Sequence, residues 1–298
     1  MPRAKARAAK NAILHRVRKQ RLRTIAVLPS LVTIINGVAG FVAIVMASKG
    51  ARDGGSGISY FAVAAYLIFL AMIADMLDGR LARMSKNTSS FGGQLDSLCD
   101  IVSFGVAPAF LMLQMLQSKL GAVGFSEGHS VQRLVWLAAG VYLSCAAIRL
   151  ARFNVENEED ESAHMSFVGL PSPAAAGVVA SLVIFHQEAV PGVDLVLYAL
   201  PLMTFGAGVL MVSRLRYPHV VNQYMRGRKP FGHFMRILLL LGLAAWNHQT
   251  VSVVVFCGFA SSSLVRWLYY KVLRKRAGLL SDSEAVIEAE PSIETDQQ

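Results

Sequence analysis

The chain has 298 residues, of which 54% are apolar and only 16% are charged. Soluble domains carry about 25% charged residues, so this composition excludes an ordinary soluble globule and indicates a protein with several membrane spans. The formal net charge is +10, and the basic residues flank the apolar segments. That placement is typical of cytoplasmic loops that contact anionic membrane lipids, so we expect no nucleic-acid partner.

The N-terminal segment 1–23 is basic and contains no acidic residue. It is predicted to lie in the cytoplasm, either as an amphipathic helix on the membrane surface or as a tail without fixed structure. It has no apolar core of the kind that a cleaved signal peptide needs. We therefore treat it as a segment separate from the membrane domain, 24–272.

The apolar segments predict an all-α bundle of about eight membrane spans. The first six lie within 24–48, 58–74, 90–117, 131–148, 169–185 and 195–212. The last apolar region, 237–265, is interrupted by the sequence NHQT at 247–250, so it forms either one tilted span or two. Two spans place both termini and most of the 29 Lys and Arg on the cytoplasmic side, as the positive-inside rule requires. The tail 273–298 is predicted to be disordered.

Four aspartates, Asp75, Asp78, Asp96 and Asp100, lie where the second and third spans approach each other. Ionisable residues at membrane depth are costly and usually mark a functional site. Spacings of three and four place each pair on one helix face, and the short connection makes the two helices antiparallel neighbours. The carboxylates can then converge at the cytoplasmic end. Four acids without soft ligands favour Mg²⁺ or Mn²⁺, and they can hold two such ions.

Two other interpretations of the aspartates are a solvated acidic loop and a cation or proton transporter. The uncharged segments on either side disfavour a solvated loop, because they place the acids in a membrane setting. Transporter sites lie near the middle of the membrane, whereas these acids gather at one end of their spans. The metal site is therefore the favoured prediction.

The aspartates belong to a longer pattern, DxxDGxxAR followed after eight residues by GxxxDxxxD, which runs from Asp75 to Asp100. This pattern resembles the signature of the CDP-alcohol phosphotransferase family. Three further stretches are similar to one branch, the bacterial CDP-diacylglycerol–serine O-phosphatidyltransferases: LPSLVTIINGVAGF in span one, RLARFNV after span four and GLPSPAAA at the start of span five. Together the resemblance covers about residues 24–270.

This resemblance implies a membrane enzyme of phospholipid biosynthesis. It would transfer the phosphatidyl group of CDP-diacylglycerol to the hydroxyl of L-serine and release CMP, with two divalent metal ions, Mg²⁺ or Mn²⁺, as cofactor. It also implies a homodimer in the bacterial inner membrane, with the active site facing the cytoplasm. Glycerol 3-phosphate, inositol phosphate and choline remain alternative acceptors, because the aspartates do not identify the alcohol.

The resemblance also implies roles for individual residues. The metal ligands are Asp75, Asp78, Asp96 and Asp100, and Asp100 also serves as the general base or lies beside it. The residues that bind CDP-diacylglycerol are Thr33, Asn36, Gly79, Ala82, Arg83 and Gly92.

The serine-binding residues are predicted from chemistry, since a carboxylate is best held by a guanidinium. Arg149 and Arg152 at the end of span four are the candidates, and arginines that only reach the membrane interface are the alternative. Ser172, in the turn GLPSP, is a third candidate for serine binding, and it is also expected to cap the helix that follows. Five basic residues suit anionic lipid headgroups: Arg214, Arg216, Arg226, Arg228 and Lys229.

Overall fold

The computed structural model describes residues 30–50, 59–85, 90–120, 129–159, 167–191, 194–217 and 247–288. Apart from one pair of two-residue strands, the elements in these ranges are helices. The basic segment 1–23 and the residues 237–246 of the last predicted apolar region lie outside this part of the chain, as do Arg226, Arg228 and Lys229.

The helices follow the apolar segments of the sequence in order. They are α1 Ser30–Lys49, α2 Tyr60–Ser85, α3 Ser90–Asp100, α4 Ala107–Leu120, α5 His129–Glu159, α6 Ser172–Ile184, α7 Asp194–Val212 and α8 His248–Glu288. A π-helical segment, Ile101–Val106, joins α3 to α4, and another, Phe185–Ala189, extends α6. The strands β1 Phe167–Val168 and β2 Arg216–Tyr217 pair antiparallel.

Six of the helical segments are long and apolar enough to cross a bilayer. They are Ser30–Lys49, Tyr60–Leu81, Phe91–Ser118, Gln132–Val155, Asp194–Val212 and His248–Tyr269. The shorter α6 is almost completely buried, because α2, α7 and α8 pack around it. The predicted all-α, multi-pass architecture is confirmed. The described residues contain six candidate spans, or seven if the shorter α6 is counted, whereas about eight were predicted.

The tetrapeptide NHQT marks the start of a helix. Asn247 Oδ1 accepts a hydrogen bond from the backbone N–H of Thr250 at 3.2 Å and so caps α8. This start lies beside Glu188, at the end of the bundle opposite to β2. Helix α8 then continues to Glu288, into the segment for which we predicted disorder.

Helix α3, the π-helical segment and α4 form one continuous helical rod. Two glycines of α1 allow a very close approach to this α3–α4 rod. A Cβ atom on Gly37 would lie 2.8 Å from Cys99 Sγ, and one on Gly40 would lie 2.6 Å from Ser103 Cα. Small residues of this kind let membrane helices pack closely in the absence of a hydrophobic driving force. Ser103 Oγ donates a hydrogen bond to the backbone oxygen of Asn36 at 2.9 Å. The polar face of α1 is thereby held against the aspartates.

The turn before α6 is anchored on the end of α7. Gly169 has φ +87°, and a Cβ atom there would collide with the backbone oxygen of Met211. Its N–H donates to Leu215 O at 2.8 Å, and that of Leu170 donates to Leu210 O at 3.0 Å. The turn therefore fixes where α6 begins and brings Ser172 to the aspartate end of the bundle.

Candidate active site

Three of the four aspartates form one cluster. Asp75 and Asp78 come from the end of α2 and Asp96 from α3, and one carboxylate oxygen of each lies within 4.8 Å of the others. Residues three apart share a helix face, and the antiparallel arrangement of α2 and α3 brings that face to Asp96. The cluster lies inside two apolar spans, close to their ends.

Asp100 lies one turn further along α3 and is outside this group of three. It is buried, and its Oδ1 accepts a hydrogen bond from Asn36 Nδ2 at 2.8 Å. Its carboxylate also interacts electrostatically with the other three aspartates. The four predicted metal ligands therefore lie as three clustered carboxylates with a fourth beside them.

The cluster fits a divalent cation. Asp78 Oδ2 and Asp96 Oδ1 are buried and have no hydrogen-bond partner among the described residues. Buried anionic oxygens without partners are costly, and a cation removes that cost. Carboxylate oxygens are the ligands that Mg²⁺ and Mn²⁺ prefer. The residues of this chain therefore suit the metal that the acidic pattern predicts.

Open space adjoins the carboxylates at two glycines. A Cβ atom on Gly79, the residue after Asp78, would meet nothing within 4 Å, and the same holds for Gly93 on α3. This space suits a ligand beside the acids. Of the other residues predicted to bind the nucleotide, Gly92 lies on α3, and Ala82 and Arg83 lie on α2 with side chains outside the description.

Arg149 of α5 faces the aspartates from the opposite side. Its guanidinium attracts Asp75 and Asp100, and its NH1 donates a hydrogen bond to Ser172 Oγ at 3.0 Å. Its Nε is buried and has no partner among the described residues. A partly buried guanidinium with an unpartnered Nε next to the cluster can hold a further anionic group.

The predicted capping role of Ser172 is wrong. Pro171 is the N-cap of α6, which begins at Ser172 without a side-chain capping bond. Because Ser172 is already inside the helix, its side chain points away from the free N–H groups of the first turn and receives Arg149 instead. Arg152, the second predicted serine ligand, is exposed, so the two arginines lie in different environments.

One pair of polar residues near the cluster was not predicted from the sequence. Asn154 Nδ2 donates a hydrogen bond to Ser97 Oγ at 2.9 Å, and Ser97 Oγ donates to the backbone oxygen of Gly93 at 3.1 Å. This contact links α5 to α3 next to Asp96. The stretch RLARFNV contains Asn154, and an amide at the end of a membrane helix was the available signal.

A family model described as CDP-alcohol phosphatidyltransferase matches residues 26–214, which include every described residue of the site. The chain belongs to this family. The CDP-diacylglycerol–serine O-phosphatidyltransferase of Helicobacter pylori is 32% identical over 217 residues, which cover 71% of this chain and 82% of that enzyme. The resemblance predicted from the aspartate pattern is thereby confirmed.

Two archaeal relatives extend the comparison. The CDP-diacylglycerol–serine O-phosphatidyltransferase of Methanocaldococcus jannaschii is 30% identical over 228 residues, or 76% of this chain and 88% of that enzyme. The archaetidylserine synthase of Methanothermobacter thermautotrophicus is 28% identical over 205 residues, or 67% and 73%. The names of all three relatives include serine, as the acceptor or as part of the product.

This CDP-alcohol phosphatidyltransferase family member has a second polar cluster at the other end of the bundle. Tyr66, which lies about 14 Å before Asp75 along α2, donates a hydrogen bond to Glu188 Oε2 at 2.8 Å. His248 Nε2 lies 2.8 Å from the hydroxyl of Tyr66, and Gln249 Nε2 donates to Glu188 Oε2 at 3.1 Å. The cluster joins α2 and the end of α6 to the start of α8.

Proposed function

We propose that this protein is a phosphatidylserine synthase, which transfers the phosphatidyl group of CDP-diacylglycerol to L-serine. The relatives named for the same reaction support this proposal. The observation that carries it is the placement of Arg149, which is partly buried beside Asp75 and Asp100 and whose Nε has no partner among the described residues. The serine oxygen forms a bond to the phosphorus of the lipid phosphate, the bond from that phosphorus to CMP breaks, and CMP leaves.

The four aspartates hold the divalent metal, one or two ions of Mg²⁺ or Mn²⁺, in this proposal. When bound, the metal would supply charge neutralisation for the diphosphate and for CMP as the leaving group. Asp75, Asp78 and Asp96 would hold the metal, since their carboxylate oxygens converge. Gly79 and Gly92, with Ala82 and Arg83, line the space for the cytidine part of the substrate.

Asp100 takes the proton of the serine hydroxyl. A hydroxyl is a poor nucleophile until a base removes its proton, and the base must lie within hydrogen-bond reach. One oxygen of Asp100, Oδ1, is occupied by Asn36 at 2.8 Å, which leaves Oδ2 as the proton acceptor. The burial of Asp100 keeps bulk water from competing with serine.

Arg149 holds the carboxylate of serine. A guanidinium offers five donors, of which one is used by Ser172, and it binds a carboxylate best through two parallel hydrogen bonds. Ser172 keeps the guanidinium in place from the start of α6. Arg152, on the exposed side of α5, is the second candidate for the serine carboxylate.

The enzyme works at a membrane surface, because the lipid tails of the substrate stay in the bilayer while its headgroup reaches the aspartates. The proposal places this surface on the cytoplasmic side of the bacterial inner membrane, where both termini lie. Anionic lipids contact the basic residues there, including Arg214, and the protein acts as a homodimer.

The test is the release of CMP from CDP-diacylglycerol by the purified protein with Mn²⁺ and a panel of alcohols. Serine is expected to give far more CMP and lipid product than glycerol 3-phosphate, inositol phosphate or choline. Equal or greater product with another alcohol would contradict serine as the acceptor. A transporter would release no CMP with any of them.

A further inference from the structure

Helix α1 carries two buried polar side chains on an otherwise apolar helix. Thr33 is 5% exposed and Asn36 is fully buried, and they lie three residues apart on the face that meets α2 and α3. The residues around them on the opposite face, Ile34, Ile35 and Val38, are exposed, as expected for a side in contact with lipid. The polar pair therefore points into the protein, at the aspartates.

Each of the two side chains hydrogen-bonds to a different aspartate. The hydroxyl of Thr33 donates to Asp78, and Asn36 Nδ2 donates to Asp100 Oδ1 at 2.8 Å. A threonine has one O–H donor, so the donor of Thr33 is already used. These contacts differ from those expected for residues that bind the nucleotide, because the hydroxyl of Thr33 and one N–H of Asn36 are directed to carboxylates. The amide oxygen Oδ1 of Asn36 is buried and has no partner among the described residues.

The backbone of α1 is fixed at the same place. Ser103 Oγ donates to the backbone oxygen of Asn36 at 2.9 Å, and Ser103 lies one turn after Asp100 on the same rod. Asn36 and this rod are thus joined twice, once through the side chain and once through the backbone. The close approach at Gly40 leaves no room for α1 to shift without breaking both contacts.

We infer that Thr33 and Asn36 are positioning residues: Thr33 orients Asp78 toward the metal, and Asn36 orients Asp100 toward the hydroxyl of the acceptor. The inference rests on the proposed function for the role of Asp100. A carboxylate turns freely about its last bond unless a hydrogen bond fixes one oxygen, and partners of this kind set the direction of metal-binding groups. Loss of such a partner typically lowers metal affinity or activity about 10- to 100-fold.

The test for Thr33 measures metal binding without any substrate. Thr33→Val keeps the shape and removes the hydroxyl, whereas Thr33→Ser keeps the hydroxyl and is the matched control. Electron paramagnetic resonance of Mn²⁺ added to the purified proteins is expected to show affinity about tenfold weaker for Thr33→Val and unchanged for Thr33→Ser. Unchanged Mn²⁺ affinity in Thr33→Val, with a raised KM for CDP-diacylglycerol, would overturn the inference.

The test for Asn36 separates kcat from KM. Asn36→Leu keeps the volume and removes the amide, with Asn36→Ala as a second variant if leucine is not accommodated. Turnover is expected to fall about 10- to 100-fold, while the KM for CDP-diacylglycerol and the inhibition by CMP stay within about twofold. Ser103→Ala, which breaks only the backbone contact, controls for packing of α1 and is expected to lose less than about threefold.

Opposite results identify a nucleotide contact. If the variants of Asn36 raise the KM for CDP-diacylglycerol and weaken CMP inhibition at unchanged kcat, the amide binds the nucleotide and the positioning role is wrong. A wrong positioning role can be told apart from a wrong acceptor. If the protein uses an alcohol other than serine, CMP release with that alcohol allows the same comparison of kcat and KM. The Mn²⁺ measurement on Thr33 needs no acceptor at all.

Discussion

The protein has two clusters of polar side chains at opposite ends of one helical bundle. They differ in whether the buried polar atoms have hydrogen-bond partners: we call the cluster around Glu188 complete and the aspartate cluster incomplete. In the cluster around Glu188, the described side chains satisfy one another: Tyr66 and Gln249 both donate to its carboxylate, and His248 meets the hydroxyl of Tyr66. In the aspartate cluster, the acids repel one another, and buried oxygens of Asp78 and Asp96 have no described partner.

This difference separates a structural contact from a binding site. Buried polar groups in proteins are nearly always paired, so a set that the chain leaves unpaired calls for a ligand. The complete cluster instead joins α8 to the bundle, and α8 is the span with the lowest buried share, 11%. The match to the family model, 26–214, contains the incomplete cluster and excludes α8. Changes to the aspartate cluster should therefore affect metal binding and turnover, whereas changes to the cluster around Glu188 should affect stability.

The largest effect is expected from Asp96→Asn. Turnover should fall by at least about 10²–10³-fold, because the change removes a charged metal ligand where the transition state needs charge neutralised. The metal-free protein should unfold at the same or a higher temperature, because one of several repelling charges is gone. CMP release and thermal unfolding in EDTA measure the two quantities. A lower unfolding temperature without metal would mean that the cluster stabilises the fold by itself.

Metal addition should affect only the incomplete cluster. Mn²⁺ at about 100 times its Kd should stabilise the folded protein by about 2.7 kcal/mol, since a ligand that binds only the native state shifts unfolding by mass action. Thermal unfolding with Mn²⁺ and with EDTA shows the shift, and Asp96→Asn is the control that should lose most of it. An equal shift in the control would place the stabilising ion elsewhere.

Arg149 should affect the acceptor more than the lipid substrate. Arg149→Lys keeps the charge but loses the planar pair of donors, so the KM for serine should rise about tenfold or more, while the KM for CDP-diacylglycerol changes little. Steady-state kinetics with each substrate varied in turn gives both values. Arg152→Lys is the matched control on the same helix, and its effect should be smaller because Arg152 is exposed. A larger effect at Arg152 would reverse their proposed roles.

The two clusters were not equally predictable from the sequence. The aspartates could be found because their spacing fixes a helix face and the connection between α2 and α3 is short. The contacts of Thr33 and Asn36 could not be predicted. Spacing shows which helix face a residue occupies, but it does not show which side chain of another helix lies opposite. Ser172 was misassigned for the same reason: whether it caps α6 or begins it depends on where Pro171 ends the turn.

The cluster around Glu188 had no signal in the sequence at all. Tyr66 and Glu188 are 122 positions apart, and Tyr66 and His248 are 182 apart, so no local spacing connects them. Tyr66 lies within the second apolar segment, Glu188 follows the fifth, and His248 belongs to the sequence NHQT that interrupts the last. Only the packing of α2, α6 and α8 around one another brings them together, through contacts such as the stacked rings of Phe69 and Phe256.

The smallest effect on activity, and the sharpest contrast with Asp96, is expected from Tyr66→Phe. This change removes the hydroxyl that joins Glu188 to His248 and leaves the ring in place. The free energy of unfolding should fall by about 0.5–1.5 kcal/mol, the usual net value of such a hydrogen bond, while kcat and both KM values stay within about twofold. Thermal unfolding and CMP release measure the two effects. A large loss of turnover at unchanged stability would mean that the two ends of the bundle are coupled. The cluster around Glu188 would then contribute to catalysis as well as to stability.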